Sequence, residues 1–225
     1  MGKTAETCTV LMFLLVASPG FTQSAPSAVV ARPRVTISVY DYAHISAELL
    51  TAAERDAQKI FRRAGVETVW VTCLPIPEKI ESQNCYVVNA SHLMLRILPH
   101  AIGAQVRERS DVLGTAIVDE KGVGYYGYAF YDRVQRVAEE HRLGHALLGD
   151  VLAHEIGHLL LGSKSHTVSG IMCAHWNGEE LRRISEGTMF FAPNQSRLMR
   201  DRVGSRQVDA PAVTRATTGG SSDAL

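Results

Sequence analysis

Neither sign of charge predominates in this chain: 23 Lys plus Arg face 23 Asp plus Glu. No net field draws it to nucleic acid or to an anionic membrane, so polyanion binding drops out as a leading function. Long apolar runs are missing too. The run at 10–17 is far shorter than the roughly 20 apolar residues that a bilayer-spanning helix needs, and no later segment reaches that length. Internal repeats are absent, which excludes a solenoid or propeller. No series of spaced acidic residues supports a calcium loop. Cysteine is sparse, with four in the chain. What remains is 225 residues with 46% hydrophobic and 20% charged content, the balance of one globular domain with a sizeable core.

The N-terminus is organised as a secretory leader: Lys3, then the apolar run at 10–17, then small and polar residues up to Ala25. Residues 1–24 are therefore expected to be a signal peptide, and the mature protein to be soluble and outside the cytosol. Removing the leader removes Cys8 and leaves Cys73, Cys85 and Cys173. Cys73 and Cys85 each end or begin an apolar stretch around a polar loop. In an oxidising compartment a disulfide between them is one reading, and two unpaired thiols the other.

From Arg34 to Tyr42 the residues alternate with β-branched and aromatic types, predicting a strand. Apolar residues at Leu49, Leu50, Ala53, Ala57, Ile60 and Phe61 follow helical spacing that stops at Gly65. Further strands are predicted at 66–73, 93–98 and 113–118. The glycine- and tyrosine-rich segment 122–131 (GVGYYGYAFY) is expected to be an edge strand. A helix then starts between His145 and Val151 and ends near Gly162. It is apolar on nearly every side, so it is central and buried. From 203 onward the composition turns to Ser, Thr, Gly, Ala and Asp, which predicts a disordered tail after a domain spanning 25–202. Strand, helix, several strands and a buried helix describe an α+β domain with a twisted mixed sheet.

The chemistry lies at 154–158, His-Glu-Ile-Gly-His. Helical residues four apart share a face one turn from each other, so His154 and His158 can present two imidazole nitrogens to one Zn²⁺. Glu155 projects beside that pair, where a carboxylate can act as general base on a zinc-activated water. Burying two histidines and a glutamate unpaired in an apolar helix costs several kcal/mol, a cost that a metal removes.

Beyond the helix, Gly162, Ser163, Lys164 and Ser165 lead to His166, and Ser169-Gly170-Ile171-Met172 follows. The stretch HEIGHLLLGSKSHTVSGIM resembles the metzincin clan of zinc metallopeptidases, whose signature runs from HExxH through a helix-ending Gly to a third His and a Met-containing turn. The resemblance implies a zincin-like fold with one catalytic zinc, His154, His158 and His166 as ligands, Glu155 as general base and Met172 as the turn methionine. Both gaps around Gly162 hold three residues here where the signature has two. The resemblance also implies an edge strand above the metal helix, antiparallel to bound peptide. Gly124, Tyr125 and Tyr126 are expected to belong to it.

Alternatives stay open at this point. Glu179 or Glu180 could replace His166 as third ligand, or could cap the helix that follows Asn177-Gly178. His175 is a further candidate ligand, and Cys173 could fill a fourth position or act as an inhibitory ligand. His44, His92, His100, His141 and His145 show no ligand spacing. The expectation is a secreted monomeric peptidase acting on peptide or protein substrates, with no nucleic-acid partner and no transmembrane anchor in its mature form. A non-catalytic secreted zinc- or protein-binding module on the same scaffold is the alternative.

Overall fold

The computed structural model describes residues 31–73, 85, 91–103, 105, 109, 111–120 and 122–208. The expected leader at 1–24 and the tail from 209 onward lie outside the described residues. Eleven elements follow in order: β1 (Arg34–Asp41), α1 (Ala47–Ala64), β2 (Glu67–Cys73), β3 (His92–Leu98), α2 (His100–Gly103), β4 (Gly114–Val118), β5 (Gly124–Phe130), α3 (Tyr131–His141), α4 (His145–Leu161), α5 (Gly178–Ser185) and α6 (Pro193–Val208). The strands form one five-stranded sheet in the order β2-β1-β3-β5-β4. β1 runs parallel to β2 and β3, β3 runs parallel to β5, and β4 alone is antiparallel, to β5. This is the mixed sheet packed with helices that the sequence predicts.

Alternation decides the two faces. Val35, Ile37 and Val39 of β1 and Leu93, Leu95 and Ile97 of β3 join α1 and α4 in one continuous core. On the opposite face Tyr40 packs with Cys73 and Cys85, which form a disulfide, and its hydroxyl donates to the Cys85 carbonyl. Helix α1 begins where the Ser46 hydroxyl accepts from the Leu49 amide and ends at Gly65 in the left-handed region. It buries Leu50, Ala53, Ala57, Ile60 and Phe61. Helix α4 is buried almost all round, as its sequence predicts.

The edge strand differs from expectation. Gly124, Tyr125 and Tyr126 lie in β5, which is bonded to β3 on one side and β4 on the other. The outer strand on this side of the sheet is β4. A turn closed by the Asp119 carboxylate on the Val123 amide folds β4 back outside β5. The glycines of β5 serve close packing: a Cβ at Gly124 would lie 2.7 Å from Leu159 Cδ2 of α4, and one at Gly127 3.1 Å from Leu95 Cδ1 of β3. Arg133, buried on α3, donates to the carbonyls of Arg109 and Val112 at 2.7 Å each and so fixes the approach to β4.

The C-terminal boundary also moves. α6 continues to Val208, and Val203 is fully buried, because the helix docks on the ends of two others. Arg200 donates to the Ala64 carbonyl of α1 at 2.8 Å. Arg202 and Arg206 donate to the Leu160 and Leu159 carbonyls of α4 at 3.2 and 3.0 Å. Carbonyls in the last turn of a helix lack intrahelical partners, and here guanidinium groups supply them.

Candidate metal centre

Helix α4 carries His154 and His158 one turn apart on one face, and the loop leaving its end returns His166 to them. The Nε2 atom of His158 lies 3.1 Å from that of His154 and 3.0 Å from that of His166. The potential ligand atoms of the three residues all lie within 4.8 Å of one another, and among the described residues they form the one such cluster of His, Cys, Asp and Glu.

The other ring nitrogens explain why the Nε2 atoms converge without a proton between the first two. His154 Nδ1 donates to the Ile171 carbonyl at 2.7 Å. His158 Nδ1 faces the Gly162 carbonyl at 3.3 Å and the Ser165 hydroxyl at 3.1 Å. A neutral imidazole has one N–H, and each ring spends it on this side. Their Nε2 lone pairs therefore face each other across 3.1 Å, an arrangement that repels unless a cation lies between them. A proton does not fill that role near neutral pH. Burial, reinforced by the charge of His158, pushes His154 down to about 3. Burial likewise takes His158 to about 4, and it lowers His166, with His175 adding to the effect. Three neutral nitrogen donors converging on one point fit a Zn²⁺ ion by both donor type and count.

Glu155 is 5% exposed, and β4 closes directly on it. A Cβ at Gly114 would fall 2.6 Å from Glu155 Oε1 and 2.7 Å from its Cγ, so only glycine admits this approach. Beneath the helix, the chain after His166 turns back: the Thr167 amide donates to the Met172 carbonyl and the Cys173 amide to that of Gly170. Met172 is fully buried under α4 at Gly157, where a Cβ would lie 2.5 Å from its sulfur. Trp176 meets the His154 ring edge-on at a centroid distance of 5.7 Å.

Other candidates fall outside the cluster. Cys173 directs its thiol to the carbonyls of Val168 and His175. Glu179 and Glu180 open α5, with Glu180 and Asn177 forming a reciprocal capping box, the capping role weighed from sequence. His92 is buried against Ser38, while His100 and His145 pair with Asp132 and Asp56. Gly114 and Ser165, which shape the centre, carry no sequence signal of their own, since their roles arise from contacts across the fold.

No protein-family model and no curated protein matches this chain. Among solved structures it is similar to archaemetzincin from Methanopyrus kandleri, at 13% identity and a TM-score of 0.44, over 78% of this chain and 99% of that one.

Proposed function

We propose that the chain is an exported zinc-dependent peptidase of metzincin-like type, with His154, His158 and His166 as ligands to one ion and Glu155 as general base. The convergence of three Nε2 atoms, those of His154 and His158 3.1 Å apart with their protons committed elsewhere and that of His166 3.0 Å from His158, carries this reading. The stretch HEIGHLLLGSKSHTVSGIM supports it, with Met172 packed beneath the helix. A zinc ion held there supplies Lewis-acid polarisation of a scissile carbonyl and acidifies the attacking water. Glu155 takes the proton of that water and passes it to the leaving amine. The β4 strand, at the outer edge of the sheet, offers backbone amides and carbonyls to an extended peptide. The disulfide at Cys73 and Cys85 supports export, and among the described residues no helix is long and apolar enough to cross a membrane.

The test is bound zinc by elemental analysis on the full chain exported through an oxidising compartment, beside His158→Ala and His166→Ala. One ion per chain, lost in both variants, is expected, together with hydrolysis of an unstructured protein substrate by the wild type alone. A wild type without zinc overturns the enzyme reading. Full zinc in His166→Ala moves the third ligand elsewhere.

A further inference from the structure

Three residues separate Gly162 from His166, so the loop carrying the third histidine needs restraint. Every added residue widens its choice of conformations and raises the cost of holding His166 in place. The described contacts show where that restraint comes from. Ser165, immediately before His166, donates its hydroxyl proton to the Gly162 carbonyl at 2.7 Å, tying the end of the loop to its start. The same oxygen lies 3.1 Å from His158 Nδ1, placed to accept its N–H. The backbone carbonyl of Ser165 accepts from Gln195 Nε2 at 2.7 Å. Gln195 is 7% exposed at the start of α6, and its own Oε1 accepts from the Ala192 amide at 3.1 Å, which fixes the orientation of the side-chain amide.

We propose that Ser165 and Gln195 are positioning residues for the metal centre: Ser165, beside the Gly162 carbonyl, holds the His158 proton on Nδ1 and closes the loop, and Gln195 anchors that loop to α6 so that His166 reaches the ion. This rests on the metal-centre reading above. The pair compensates for the longer spacing around Gly162. Neither residue touches the ion. Ser165 acts on the His158 ring, by the hydrogen bonding that raises ligand basicity and limits ring motion, and Gln195 acts on the backbone of the loop that carries His166.

The experiment uses the full chain and three variants: Ser165→Ala, which removes the hydroxyl; Ser165→Thr, which keeps it; and Gln195→Met, which keeps length but not the donor. Zinc affinity is read by chelator competition and coordination by the visible spectrum of the cobalt-loaded protein. Ser165→Ala and Gln195→Met are each expected to weaken zinc by about 10- to 100-fold and to alter the cobalt spectrum. Ser165→Thr is expected to stay within a few-fold of wild type. A merely structural role would lower the urea midpoint of the metal-free protein and leave the affinity of folded molecules alone, so zinc affinity within about threefold of wild type and an unchanged spectrum overturn the proposal. A further measurement needs no variant: nitrogen-15 NMR of the metal-free wild type is expected to find the His158 proton on Nδ1, and a proton on Nε2 overturns the role of Ser165. Should the wild type bind no zinc, the peptidase reading fails, while the tautomer measurement still judges the Ser165 contact.

Discussion

Helix α1 buries Leu50, Ala53, Ala57, Ile60 and Phe61 and turns Arg55, Lys59, Arg62 and Arg63 to solvent, whereas α4, of nearly equal length, is enclosed on almost every side. The polar side chains of α1 are mostly hydrated. Those of α4, Asp150, Glu155 and His158 above all, sit inside the protein, where each must find a partner or give up its charge. The contrast teaches where to look for chemistry. Polar residues on an amphipathic helix are ordinarily solubilising, but on an enclosed helix they are either functional or destabilising. The same helix carries the candidate centre, His154, Glu155 and His158, and one turn earlier Asp150, whose buried carboxyl lies outside that cluster.

The largest expected effect tests the functional half of this contrast. Glu155→Gln should keep its zinc while peptide hydrolysis falls by about 10²- to 10⁴-fold, the usual contribution of a general base. Hydrolysis at the wild-type rate in a zinc-replete variant would leave Glu155 a buried packing residue, no different in kind from those of α1. Next is Gly157→Ala, whose Cβ would press on Met172 and on the Phe191 ring. A loss of about 1–3 kcal/mol in urea unfolding is expected from overpacking.

Asp150 tests the destabilising half. It is 4% exposed, and burial first and Asp56 second hold its carboxyl well above the ordinary carboxylate range, with Oδ1 lacking a partner among the described residues. An unfolded Asp titrates near about 3.9, so the native state retains this proton to higher pH and stability falls as pH rises through that window. Asp150→Asn removes that fall. Its stability relative to wild type should grow from about pH 4 upward, by about 1.4 kcal/mol for each unit by which the native pKa exceeds the unfolded one. Parallel pH–stability curves would show that Asp150 carries no such penalty. The smallest effect belongs to α1: Ser46→Ala removes an exposed cap with a 3.3 Å contact and should cost about 0.5 kcal/mol, at the low end for such caps.

The histidine pair and Glu155 were legible from sequence because a helix converts a spacing of four into a shared face, and α1 because its apolar period is unbroken. The edge strand was not legible in the same way. Glycines and tyrosines at 124–130 look like an open edge, but their glycines make room for Leu95, Leu159 and Glu155, and whether a strand is interior depends on pairings that alternation does not encode. α3 and α6 have no counterpart in the sequence expectation. α6 places only a few apolar residues, Met199 and Val203 among them, in the core and is held largely through arginine and glutamine side chains reaching carbonyls far away in sequence. The disulfide between Cys73 and Cys85 was one of two open readings, since adjacency in sequence says nothing of which sheet face the two cysteines share.

The arginine contacts of α6 set an order of events for the growing chain. Arg200 meets Ala64 across 136 residues, and Arg202 and Arg206 reach α4 from the last described helix. Contacts of such long range form late. During synthesis the histidine pair is therefore made before the residues that cover the end of its helix and contact the loop bearing His166. A chain cut short of α6 would hold the histidine pair without the side chains that cover the end of α4 and contact the loop bearing His166.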